Sequence, residues 1–195
     1  MPRPVVVVVT GRPGSGKTTL AHRLAKALHC PLLSRDEFKE GYVRTQGRSH
    51  TALGAEVNGT LYHIFFESVD FVVEQGVSVV IEAAFQHRLW ERPLLALAEK
   101  ARVAIVVCAV DPALARRRAI ERGMADPKRE YFHGDPVTVA ARQGIDTPPE
   151  EYSPPSLDVP TLTVDTSDGY APGLADIGEF IASAVGWDRR VQESS

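Results

Sequence analysis

Apolar and polar positions alternate along the chain with two different periods, and the change of period sorts it into strands and helices. Val5–Thr10 is an unbroken, mostly β-branched run, the pattern of a parallel strand covered on both faces. Gly16–His29 follows with Leu20, Leu24 and Leu28 four residues apart, one stripe of a helix. Pro31–Ser34 reads as a short second strand, and Asp36 to His50 is a polar stretch rich in charge and glycine. From Thr51 to about Gln75, Leu53, Val57, Leu61, Ile64, Phe65, Val69 and Val72 trace a helical stripe that Gly76 is placed to end.

Val77–Ala83 predicts a third strand, Gln86–Ala101 holds a helix, and Val103–Val110 predicts a fourth strand. Pro93 suits the first turn of that helix, or else kinks it. Asp111-Pro112 opens a further helix through about Arg122. Gly123–Pro160 carries seven prolines among charged residues and reads as a partly ordered excursion, with too little apolar material for a core of its own. Thr161–Asp165 predicts a last short strand and Leu174–Val185 a closing helix, with a frayed tail after Trp187. Alternating strands and helices with right-handed crossovers specify an α/β fold: about five parallel strands with helices on both faces.

Composition narrows the class. The 195 residues are 44% hydrophobic and 24% charged, enough for one domain with a real core. A net charge of −3 gives no general attraction to nucleic acid or anionic membranes. Cys30 and Cys108 make no metal-ligand spacing, and Cys108, inside an apolar run, reads as a small buried hydrophobe. The apolar run at Val5–Val9 breaks at once into Gly-Arg-Pro-Gly, unlike a signal peptide, and no segment approaches the roughly 20 apolar residues of a membrane span. The expectation is a soluble, cytoplasmic protein.

The sharpest chemical signal is Gly11-Arg12-Pro13-Gly14-Ser15-Gly16-Lys17-Thr18, which fits G-x-x-x-x-G-K-[ST] between a buried strand and an amphipathic helix. Glycines let the backbone turn its N–H groups onto phosphate oxygens. Lys17 supplies a point charge over the β and γ oxygens, the Thr18 hydroxyl one oxygen to Mg²⁺, and the helix start, with Thr19, further N–H groups.

With this loop, the segment Ser34-Arg35-Asp36-Glu37-Phe38 and an acidic residue in the third strand, the chain resembles the P-loop kinases related to polynucleotide kinase, chloramphenicol phosphotransferase, zeta toxin and gluconate kinase. The resemblance implies a three-layer P-loop NTPase sandwich spanning 1–195 as one domain, with a lid at about 112–136 and the proline-rich excursion at about 123–160. It implies ATP and Mg²⁺, and an acceptor hydroxyl oriented and deprotonated by Asp36, the position that matches the family's catalytic aspartate. The same aspartate would also serve as an N-cap for Glu37–Glu40. Glu82 would hold Mg²⁺ through water or orient the acceptor, although relatives more often have aspartate there. The lid arginines of the resemblance correspond to Arg116, Arg118 and Arg122, with Arg118 and Arg122 sharing a helix face. The stretch 124–136 would order when nucleotide binds, with His133 and Asp135 as surface residues. Arg35, Lys39, Arg44, Arg48 and His50 are either acceptor contacts or solvated charges, and Val164-Asp165-Thr166 either borders the nucleotide base or is a turn.

The function these features predict is transfer of the γ-phosphoryl group of ATP to a hydroxyl of a small molecule. A kinase of nucleic-acid 5′-hydroxyl ends and an ATP-binding regulatory or toxin-like protein are the alternatives. Acceptor identity and oligomeric state are not readable from these residues.

Overall fold

The computed structural model describes residues 3–149 and 151–187, apart from the side chain of His87. The tail after Trp187 lies outside the described residues. Strand β1 (Val5–Gly11) is buried along its whole length because it is the centre of the sheet. It pairs in parallel with β3 (Val79–Glu82) on one side and β4 (Arg102–Ala109) on the other. Strand β2 (Leu32–Ser34) lies outside β3 and β5 (Thr161–Asp165) outside β4, giving the parallel order β2-β3-β1-β4-β5.

Period-two alternation splits β1 between two cores. Val6 and Val8 face Phe65, Phe66 and Val69 of α4 (Glu56–Glu74) and Leu94 and Leu97 of α5 (His87–Lys100). Val5, Val7 and Val9 face Leu20 and Leu24 of α1 (Lys17–Ala27) and Ile177 and Ile181 of α9 (Leu174–Val185). This three-layer arrangement is the one the sequence predicts. Cys108 is buried as expected, and burial pushes its thiol up to about 12.

Three readings change, and one left open is decided. The polar stretch after β2 is helix α2 (Arg35–Gln46), closed by Gly47 in the left-handed conformation. Its apolar anchors are few, Val43 and Phe38, the latter edge-on to Phe65 at 5.8 Å. Acidic residues in its first turn and Arg44 in its last favour the helix dipole instead. The long helix expected from Thr51 is two: α3 (His50–Leu53), capped by Ser49, then α4, separated by Gly54 at φ 80°. Helix α5 begins at His87, so Pro93 lies in its interior, not its first turn.

The excursion after Gly123 is more ordered than expected. Helix α6 (Pro112–Ala125) runs past Arg122, with the Asp111 carboxylate accepting from the amides of Ala113 and Leu114. Two short helices follow, α7 (Lys128–His133) and α8 (Pro136–Arg142). The proline-bearing strap beyond them is tied down by Tyr152, 2.7 Å from the Thr10 hydroxyl, and by Leu157 and Val159 packed on the core. Among the described residues no helix is long and apolar enough to cross a membrane.

Candidate active site

Register places the chemistry. Val9 and Ser34 both align with Glu82 across the sheet, so the carboxyl ends of β1, β2 and β3 meet at one edge, where open α/β sheets bind ligands. The phosphate loop leaves β1 there. Gly14 sits at φ 82°, and a Cβ on it would lie 2.0 Å from the Ala115 carbonyl oxygen of α6. Only glycine lets the loop pass so close to α6. Gly16, left-handed at φ 80°, is the N-cap of α1 and provides no side-chain cap, and no acidic residue occupies the first turn. The helix start therefore keeps its N–H groups and positive dipole for an anion.

Behind the loop, Glu82 is fully buried. It accepts from the Thr18 hydroxyl at 3.2 Å and the Ser34 hydroxyl at 2.7 Å, and Lys17 Nζ lies 3.7 Å away. Ser34, given no role of its own in the sequence, thus spends its hydroxyl on Glu82 and not on capping α2, although it holds the N-cap position. That position corrects the capping role considered for Asp36, which lies inside the first turn. The loop's other face is braced by the Thr166 hydroxyl on the Ser15 carbonyl at 2.7 Å. Thr19 is exposed on the first turn of α1.

In front of Lys17 opens a cavity of about 300 Å³ that also takes in Pro13, Asp36, Arg122, Arg35, Lys39, Arg129, His133 and Asp135. Burial alone would push the Asp36 carboxyl up, but Lys17, His133, Lys39 and Arg35 together outweigh it and hold the group below the usual aspartate value. Asp36 is therefore an anion at neutral pH, half-buried beside the lysine of the phosphate loop. His133 and Asp135, read as surface residues, are instead part of this wall. Helix α7 carries His133 against α2, where its ring meets Glu40 at 2.8 Å and its carbonyl accepts from Lys39 at 3.3 Å. Arg129 escaped the sequence reading because a six-residue helix has no usable periodicity.

The arginines of α6 divide. Arg122 lines the cavity. Arg118 does not: its guanidinium donates to the carbonyls of Thr166 at 2.9 Å and Ser167 at 2.6 Å, pinning α6 to the end of β5. Arg116 pairs with Asp146 at 2.8 Å and, with Arg12 and Pro13, lines a small pocket under Pro148 and Pro149. Arg44 is exposed, and the exposed Arg48 donates to the Ala52 carbonyl. Neither lines the cavity, whereas Arg35 does. His50 borders a neighbouring groove.

Residues 6–140 match the AAA domain family (AAA_33). The chain belongs to that family. Solved structures agree that this AAA domain is a kinase-like P-loop NTPase. One, a candidate kinase from Chloroflexus aurantiacus J-10-fl, is 26% identical at a TM-score of 0.73, with 100% of each chain covered. The APS kinase CysC of Mycobacterium tuberculosis, solved with AMPPNP and APS, is 20% identical at a TM-score of 0.59, covering 93% of this chain and 99% of that one. A gluconokinase from Sinorhizobium meliloti 1021 is 16% identical at a TM-score of 0.53, covering 94% and 92%. At these last two identities the likeness is one of fold.

Proposed function

We propose that this AAA domain protein is a kinase that moves the γ-phosphoryl group of Mg-ATP to a hydroxyl of a small molecule. The observation that carries the reading is the ionised Asp36 in the cavity in front of Lys17. A carboxylate so placed orients an acceptor hydroxyl toward the γ-phosphorus and accepts its proton as the new P–O bond forms. The bridging P–O bond to ADP breaks in the same displacement. Lys17 and Arg122 face the oxygens on which charge is carried, and the backbone of Gly11–Thr18 holds the β-phosphate. The kinase names of the structural neighbours support the reaction class.

The Thr18 hydroxyl and the Glu82 carboxylate, 3.2 Å apart, are hard oxygen donors of the kind Mg²⁺ takes. Among the described residues no cluster of three or more His, Cys, Asp or Glu would hold a metal alone. Bound there, Mg²⁺ would neutralise charge on the β and γ oxygens. Free ATP and small acceptors make the cytoplasm the compartment this reading implies.

A coupled assay of ADP release across sugars, nucleosides, aminoglycosides and phosphorylated or carboxylated alcohols tests it. One acceptor class should raise ADP release well above the water background. If none does, while ATP is still bound and slowly hydrolysed, the protein is a nucleotide-binding regulator and the kinase reading fails.

A further inference from the structure

The acceptor cavity holds more positive charge than phosphoryl transfer uses. Lys17 and Arg122 serve the triphosphate in the reading above, yet Arg35, Lys39 and Arg129 line the same 300 Å³. Only two carboxylates among the cavity's lining residues, Asp36 and Asp135, answer these five cations. Lys39 is only 8% exposed, and the hydrogen bond described for it goes to the His133 carbonyl at 3.3 Å, not to an anion. The Nε atoms of Arg35 and Arg129 are buried and have no hydrogen-bond partner among the described residues. Arg129 approaches Asp135 only to 3.9 Å, too far for a hydrogen bond, and Asp135 is already engaged by the Thr138 hydroxyl at 2.9 Å. Arg35 lays its guanidinium over the Trp90 ring at 5.7 Å, which holds the fork in place without neutralising it.

These cations also work against one another. Burial, joined by repulsion from Arg35 and Arg129 and opposed by the pull of Asp36, lowers Lys39 to about 8. Desolvated cations of one sign drawn together cost stability unless an anion joins them. Two guanidinium forks and an ammonium are the groups that grip a planar or tetrahedral oxyanion.

We propose that the acceptor carries, besides the hydroxyl to be phosphorylated, a compact oxyanion (phosphate, sulfate or carboxylate) seated among Arg35, Lys39 and Arg129. This rests on the kinase reading of the same cavity. The rest of the acceptor extends past His133 and Pro136, which also line a wider groove of about 630 Å³ bordered by His50, Asn58 and Gln143. That groove is mostly apolar, with His50, Asn58 and Gln143 among its polar points. A small acceptor is favoured over a polynucleotide because the chain carries 25 acidic against 22 basic residues and the surplus positive charge lies inside the cavity.

Trp90 reports the site. The chain has two tryptophans, so Trp187→Phe leaves Trp90 as the sole indole. With the phosphate loop saturated by Mg·ADP, inorganic phosphate, sulfate and acetate are titrated separately, followed by a short oligonucleotide. At least one small oxyanion should give a saturable change in Trp90 fluorescence. Its affinity should fall at least tenfold in Arg129→Met, which leaves the Arg35–Trp90 stack intact, and in Arg35→Met read by calorimetry, with ADP affinity unchanged. No saturable oxyanion binding, or binding indifferent to both substitutions, overturns the proposal. An oligonucleotide that binds far more tightly than every small oxyanion overturns its small-acceptor form. The two readings fail separately. Oxyanion binding without transfer to any alcohol sinks the kinase reading and supports the anion site, whereas transfer only to neutral alcohols sinks the anion site alone.

Discussion

On the nucleotide side of the cavity, eight consecutive residues at Gly11–Thr18 present backbone amides and one ammonium, and a single buried carboxylate, Glu82, sits behind them. On the proposed acceptor side, the polar groups are side chains drawn from α2, α7 and Asp135 just after it, about a hundred residues apart at their extremes. The first wall is specified by local backbone geometry, and the second by how helices with weak patterns dock. Substitutions should therefore behave differently on the two sides: collapse of nucleotide binding on one, and selective loss of transfer or specificity on the other.

The largest effect is expected from Lys17→Ala. It removes the cation over the triphosphate and leaves Glu82 buried without its charge partner. Calorimetry with Mg·ATP should register no heat, and the unfolding free energy should drop by about 3 kcal/mol. Unchanged ATP binding would erase the distinction between the walls.

Asp36→Asn should leave Mg·ATP affinity within about twofold but lower kcat with the true acceptor by about 10²–10⁴. Single-turnover transfer and nucleotide titration measure the two numbers. A parallel loss of ATP binding would move Asp36 to the nucleotide wall.

Lys39→Met probes the acceptor wall through pH. Burial, with repulsion from Arg35 and Arg129, lowers Lys39 from 10.5 to about 8. Between those values the unfolded chain binds more protons than the folded one, so stability rises with pH across that window. Below about pH 8 the buried ammonium costs its full amount, on the order of 3 kcal/mol. Lys39→Met should therefore be more stable than wild type at pH 7, with the gap closing by about pH 10.5, as read by urea unfolding at both values. An equal gap at both would mean that Lys39 is not strained by its neighbours.

The smallest effect is expected from Arg44→Ala and Arg48→Ala. Both side chains are exposed and outside the cavity, so kcat/KM should change less than about twofold and stability by within about 0.5 kcal/mol. A tenfold loss in either would extend the acceptor wall along α2 or into the turn that follows it.

Legibility followed the same division. The buried run of β1, the stripes of α1 and α4, the closing helix α9 and the phosphate loop could be read directly, because strong periodicity and a contiguous motif are local properties. Helix α2 was hidden: its polar sequence offers two buried positions, Lys39 and Val43, and its helicity depends on docking against α4 and on charges suited to the dipole. Pro93 left the start of α5 open between a first-turn and an interior proline, and the packing of Trp90, Leu94 and Leu97 holds it inside the helix. Arg118 and Arg122 share a face in sequence, yet one serves β5 and the other the cavity, a choice made by where α6 lies.

The sequence by itself determined the α/β class, the phosphate-gripping loop and the carboxylate at its side, because each is encoded within a few consecutive residues whose geometry is set by backbone sterics and hydrogen bonding. Only the tertiary structure decided the strand order, the Ser34–Glu82–Thr18 cluster and the gathering of Arg35, Lys39, Arg129 and His133 around Asp36. Those depend on register across the sheet and on short helices docking over long chain separations, where no local pattern records which side chains will meet.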